Sequence, residues 1–258
     1  MRTAVLNKQP ITSWSTRDWA LQILKYAKLR HLESFNKYNM LGSASCRGEL
    51  EINLGVTFDE DQREAAARAY ERLKTAGSFR PTYSDKQQPE SWCKLTPAGA
   101  RVLETGYMDD LDEALAKLHP HLVDIRWGAW SALGTGQPHA ASQAAHSARE
   151  LIDQTLKAGA PDEHVKRQTW FQADKSSKSG VTRKMRMKAL MERFKMNASD
   201  SDLRVADQAA ELVLALDDKL KSMAHSRTEE STDEASTAIA TAEMALKKIL
   251  VRYKAQQK

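Results

Sequence analysis

Residues 137–161 read QPHAASQAAHSARELIDQTLKAGAP, and the spacing of their apolar side chains decides the fold class. Ala141, Ala145, Ala148, Ile152, Thr155 and Leu156 recur at three- and four-residue steps, which places them along one stripe of an α-helix. Such a stripe is stable only when buried. His146, Arg149 and Asp153 share the helical repeat but fall beside the stripe, where core meets solvent. Side chains at that boundary form either a solvated edge or a site. Gly159 and Pro161 stop the helix, because glycine accepts a left-handed cap and proline has no N–H to continue the ladder.

Outward from this helix, the second half of the chain keeps the same repeat. Residues 111–133 predict a helix bent or broken at Pro120, with Leu115, Leu118, Val123, Trp127 and Trp130 as core candidates. The stretch VTRKMRMKALMERFKM (181–196) predicts a helix with Met187, Leu190, Met191 and Phe194 inward and Arg183, Lys184, Lys188 and Lys195 outward. A longer helix is expected from Asp202, with Leu203, Ala206, Ala210, Val213, Leu216, Leu220 and Met223 in register. A last one starts near Ser231 and carries Ile239, Ala242, Leu246, Ile249 and Tyr253. Almost nothing here has the period of a strand, so the expected architecture is an all-helical bundle over residues 107–258.

The first half differs. Ser15 opens a helix with Trp19, Ile23, Tyr26 and Ala27 on one face. Leu50, Ile52 and Leu54 alternate with polar residues, as in a short strand. Asp59 opens a second helix through Ala76, with Ala66, Tyr70 and Leu73 as its seam. Two short extended pieces then flank a polar, proline-marked tip, and Thr96 with Pro97 starts another helix. Helix, strand, helix, hairpin, helix in that order resembles a winged-helix domain over residues 1–106, carried by Leu73–Gly77, Trp92–Leu95 and Thr96–Leu103. That resemblance implies Arg63, Arg68, Arg72, Arg80 and Lys86 as nucleic-acid contacts, beside the alternative of a protein-docking module with solvated arginines. Thr105–Asp112 is the expected linker. The fold class is thus mainly α, a small α+β domain followed by a bundle.

Composition narrows the function. The 258 residues carry 39 Lys and Arg against 34 Asp and Glu, a net charge of +5, which suits phosphate-rich or acidic partners. The excess is local: ten of those cations lie between Lys166 and Lys195, with Asp174 and Glu192 as the acids among them. Trp170 and Phe171 interrupt the run, as in strand binders, although a solvated helix and loop would share the composition. Cys46 and Cys93 are too few for a disulfide framework and lack the spacing of a metal site. No signal-peptide core or long apolar run occurs, so the expectation is a cytoplasmic protein that needs neither cofactor, metal nor membrane.

One series of pieces in the second half resembles a known family. LVDIRWGAWSAL (122–133), AAHSAREL (144–151), APDEHV (160–165), VTRKMRM (181–187) and MAH (223–225), followed by a Glu-bearing helix, resemble the predicted pPIWI-associating nuclease family. The most specific pieces are Gly128-Ala129, Ser147-x-Arg149-Glu150, Ala160-Pro161 and Thr182-Arg183, in that order. The resemblance implies a nuclease in a bacterial conflict or antiphage system, with an effector or sensor protein as partner. Helical nucleases of the HEPN type pair an arginine with a histidine about four to six residues later, so that one helix turn sets both on a phosphate. None of the seven histidines here has that arginine.

The remaining catalytic candidates come from separate helices: His146 and Arg149, Arg126 on the helix before them, and His225 with Arg227 at the end of the long helix. Each has an ordinary alternative: an arginine paired with Asp153 or Glu150, a histidine satisfied in the core, a histidine on a helix terminus. Asp217-Asp218-Lys219 is expected to be a solvated face. Together with the basic residues Arg183, Lys184, Arg186 and Lys188, the candidates favour a protein that binds nucleic acid and cleaves RNA. A non-catalytic winged-helix regulator or adaptor is the rival, and long Ala/Leu seams also fit a homo-oligomer.

Overall fold

A computed structural model describes residues 11, 14–29, 34–43, 45–135, 137, 139–192, 199–225 and 231–255, with side chains through Val251. Arg193, Phe194, Lys195, Arg227 and the side chain of Tyr253 lie outside the described residues. The fold is mainly helical and divides into two compact units, Met1–Asp109 and Asp110–Lys258.

In the first unit, α1 (Thr16–Leu29) begins where Ser15 and Asp18 bond to each other's backbone N–H at 3.2 and 2.9 Å. Its buried face carries Trp19, Ile23, Leu24 and Tyr26. There follow β1 (Phe35–Asn36), α2 (Lys37–Leu41), α3 (Glu49–Leu54), α4 (Glu60–Thr75), β2 (Phe79–Pro81), β3 (Trp92–Leu95) and α5 (Pro97–Thr105). The strands form an antiparallel sheet in the order β1-β3-β2, with Phe35 opposite Cys93 and Phe79 opposite Leu95. Tyr70 of α4 stacks on Phe79, tying helix to sheet. Asp59 and Thr96 cap α4 and α5, with Pro97 in the first turn of α5.

The alternation of Leu50, Ile52 and Leu54 does not make a strand. The segment is α3, in which Leu50 is buried and Ile52 is exposed. The helix is selected by Glu51, whose buried carboxylate accepts the N–H groups of Gly48 and Phe58, both at 2.7 Å. Burial pushes its pKa up, but those two N–H groups and Arg63 outweigh it and hold the carboxyl below its usual value. Gly48 also passes close against Gly42; a Cβ on Gly42 would lie 2.3 Å, and one on Gly48 2.4 Å, from a backbone atom.

The second unit contains α6 (Asp110–Leu118), α7 (His121–Leu133), α8 (Ala140–Gly159), α9 (Asp162–Lys166), α10 (Arg183–Glu192), α11 (Asp200–Ala224) and α12 (Thr232–Ala255). Pro120 separates α6 from α7, as proline's missing N–H requires. The central helix is α8, which packs on α6, α7, α10, α11 and α12. All six residues of the stripe from Ala141 to Leu156 are buried, joined by Ala140, Ala144, Leu151 and Gly159. The small side chains let neighbouring helices approach closely: a Cβ on Gly159 would be 3.0 Å from Leu190. Fully buried Ile152 and Leu156 each contribute about 1.5–3 kcal/mol of apolar burial. Among the described residues no helix is long and apolar enough to cross a membrane.

Candidate functional site

Two motif arginines from different helices converge on one carboxylate. Arg149 lies on the side of α8 beside its buried stripe, and Arg183 is the first residue of α10. Both face Asp217 on α11. Arg183 donates to Asp217 Oδ2 at 2.6 Å and, through Nε, to Asp153 Oδ1 at 3.0 Å. Arg149 Nε stands 3.4 Å from Asp217 Oδ1 without the alignment of a hydrogen bond, so these two buried atoms carry charge contact but no hydrogen-bond partner. Lys157, one turn along α8 from Asp153, closes the group at 2.6 Å.

The depths of these groups set their roles. The Asp217 side chain is 5% exposed, whereas those of Arg149 and Arg183 are 24% and 31% exposed. The carboxylate therefore lies deeper than the two arginine side chains, which are partly exposed. Burial pushes the Asp217 carboxyl above its usual pKa in spite of both arginines. Burial also raises Asp153, but hydrogen bonds from Lys157 and Arg183 outweigh it and hold that carboxyl low. Planar guanidinium forks held at a solvent boundary suit a phosphate diester, to which each can present parallel N–H donors.

The histidines lie along the same seam. Ser142 Oγ of α8 bonds to the Ala224 carbonyl of α11 at 3.0 Å, so the two helices run antiparallel, with Ser142 level with Ala224 and Arg149 level with Asp217. His225, the exposed C-cap of α11, is thus near Ser142, two turns or about 10 Å along the helices from Arg149. His146 lies one turn before Arg149 and is exposed, not a core histidine.

Arg126 does not join this group. Its guanidinium bonds to Asp112 at 2.6 Å and to both carboxylate oxygens of Glu243 at 3.0 and 2.9 Å, tying α7 to α6 and α12. Trp127 Nε1 donates to Asp112 and Trp130 Nε1 to Glu243. The candidate nucleic-acid contact Arg186 is internal as well. It is buried against the Ala160 carbonyl at 2.7 Å and against Asp162, because it falls on the face of α10 that meets α9. Lys184 and Lys188 are exposed.

Within the first unit, Arg63 pairs with the buried Glu51 at 3.3 Å and Arg68 with Glu64 at 2.6 Å. Arg72 is half-buried, while Arg80 and Lys86 on the hairpin are exposed.

Sequence reasoning missed Asp217 as a site residue, although a signal was there. Ala206, Ala210, Val213, Asp217, Leu220 and Met223 form the buried stripe of α11, and Asp217 occupies the position expected for Leu216. A charge at core spacing marks a buried carboxylate that needs a partner. Among the described residues, no three His, Cys, Asp or Glu side chains gather as a metal site.

Comparison with protein-family models matches residues 115–249, more than half of the chain, to the family described as predicted pPIWI-associating nuclease. Comparisons with curated proteins and with solved structures gave no match. The matched segment includes Arg126, Arg149, Arg183, Asp217 and Glu243. The chain belongs to the predicted pPIWI-associating nuclease family.

Proposed function

We propose that the protein is a nuclease that cleaves RNA at the α8–α10–α11 junction, with Arg149 and Arg183 as the phosphate-binding groups. The observation that carries this reading is the convergence of both arginines on the buried Asp217, with each arginine side chain still partly exposed. Asp217 is a positioning residue: beneath the arginines, it fixes them where charge develops on a phosphorane. His146, exposed one turn from Arg149, moves the proton. RNA carries its own nucleophile. The 2′-hydroxyl gives its proton to His146 as its oxygen bonds to phosphorus; the bond to the 5′-oxygen then breaks, and His146 returns the proton to that leaving group. The products are a 2′,3′-cyclic phosphate and a free 5′-hydroxyl.

Full-length protein with end-labelled RNA tests this. Arg149→Ala or Arg183→Ala should each lower the cleavage rate about 10²–10³-fold, and a 2′-deoxy nucleotide at the cut position should block cleavage there. Cleavage at the native rate in both variants would remove the site.

The first unit supports a winged-helix reading, in which α4 and the β2–β3 hairpin follow one another and the hairpin exposes Arg80 and Lys86. In that reading the hairpin contacts nucleic acid, and the protein is part of a bacterial conflict system whose partner is a pPIWI-type protein. It also carries the alternative of a DNA-binding regulator. DNA binding that Arg80→Glu with Lys86→Glu abolishes, in a protein that cleaves nothing, would favour the regulator.

A further inference from the structure

The segment from α9 to α10 is a folded module with a small apolar centre of its own. Ala160, Val165, Val181 and Ala189 are buried together, and Trp170, Phe171 and Met185 pack against them. Its loop is held by backbone bonds, Asp174 N–H to the Gly180 carbonyl at 2.9 Å and Gly180 N–H to the Ser177 carbonyl at 3.0 Å. Lys166, Arg167, Lys175, Lys178, Lys184 and Lys188 are exposed on it.

Several lysines elsewhere on the chain differ from these six. Lys37, Lys74, Lys117, Lys157 and Lys219 each face a carboxylate. Among the described residues, none of the six forms an ion pair. Of the three acids inside the module, Asp162 pairs with Arg186 and Asp174 bonds to Ser176, whose hydroxyl and N–H hold that carboxyl below its usual pKa, while Glu163 is exposed on α9. Eight cations against three acids leave this small module with a positive excess, whose self-repulsion a polyanion would relieve. The aromatic content points to the part of the polyanion that is read. Lys188 Nζ lies 4.2 Å from the Trp170 ring centre, and Phe171 packs inward, so neither ring is offered freely to a base. The first residue of α10 is Arg183 itself, so the charged surface leads to the arginine pair.

We infer that the module of residues 160–189 binds the sugar–phosphate backbone of a single-stranded nucleic acid, without regard to base, and leads it toward Arg149 and Arg183. The choice of nucleic acid over another polyanion rests on the nuclease reading above.

The test uses the full chain and strands that the proposed transesterification cannot cut: single-stranded DNA and 2′-O-methyl RNA homopolymers of different bases. Binding is measured against salt concentration. Each single-strand phosphate contact contributes about 0.7 to the slope of log affinity on log salt. Lys175→Gln, Lys178→Gln and Lys184→Gln together should therefore reduce that slope by about 2. Lys117→Gln with Lys219→Gln, two paired lysines, should leave it unchanged, and the homopolymers should bind alike. DNA and 2′-O-methyl RNA arms that agree assign the backbone as the common ligand. An unchanged slope in the triple variant, a marked preference for one base, or displacement by polyglutamate at equal charge would overturn the inference. If the slope falls as expected but Arg149→Ala still cleaves RNA at the native rate, the binding surface stands and the cleavage site does not.

Discussion

Arg126 and Arg149 are carried by neighbouring helices, α7 and α8, yet they meet their carboxylates differently. Arg126 is enclosed, with a side chain 6% exposed; it bonds to two carboxylates, and both indoles beside it donate to the same acids. Arg149 shares one carboxylate with Arg183, makes its contact off axis, and reaches solvent. Each of the two Arg126 carboxylates accepts from a guanidinium and an indole, so no group there waits for a ligand. The Arg149 centre has two cations for one buried anion at its heart, and both arginine side chains remain partly exposed. A buried ion network that is complete holds helices in place; one left incomplete at a solvent boundary can bind.

The largest expected effect breaks the closed cluster. Arg126→Ala strands Asp112 and Glu243 without their cation and should destabilise the protein by about 3–5 kcal/mol, measured by urea unfolding. At the open cluster the same kind of change acts on chemistry instead. Asp217→Asn removes a carboxylate whose ionisation burial opposes, and Arg149 and Arg183 can rehydrate. RNA cleavage should fall about 10²-fold while unfolding free energy changes by less than about 1 kcal/mol. If Asp217→Asn unfolds the bundle as Arg126→Ala does, the distinction between the clusters fails.

A finer comparison is available inside the open cluster, where Asp153 and Asp217 share Arg183 but shift in opposite directions. The folded pKa of Asp217 is raised, so its contribution to stability is fully present below the unfolded value near 3.8 and is lost as pH rises through the folded value. For Asp153 the folded pKa is lowered, so its contribution is present above the unfolded value and is lost as pH falls through the folded one. Relative to the native protein, Asp217→Asn should therefore gain stability between acid and neutral pH, and Asp153→Asn should lose it over the acid range. Denaturation curves at several pH values read both. The smallest effect is at Lys157→Ala, where an exposed lysine meets the half-buried Asp153 one turn away and the pair is worth about 0.3–0.5 kcal/mol.

What was legible in the sequence follows from how far the deciding interaction reaches. The stripe of α8, the break at Pro120 and the cap at Thr96 are local, and the spacing of their residues was enough. α3 misled because its decisive contact is a glutamate closing its own helix start and reaching on to Phe58, which alternation does not register. The arginines of the candidate site were visible as motif pieces, but their partner is remote in the chain: Asp217 is 34 residues from Arg183. Charge alone groups Arg186 with Lys184 and Lys188, although two residues is more than half a helical turn and the same spacing sets Arg186 beside the buried Met187 and Leu190.

The Lys188 ammonium against the Trp170 ring has a practical consequence. Indole fluorescence responds to a charge held at its face, so any anion that draws Lys188 away changes the emission of Trp170. The module thereby contains its own optical reporter, and a titration followed by light, with Trp170→Phe as the blank, separates strand engagement from bond cleavage in time.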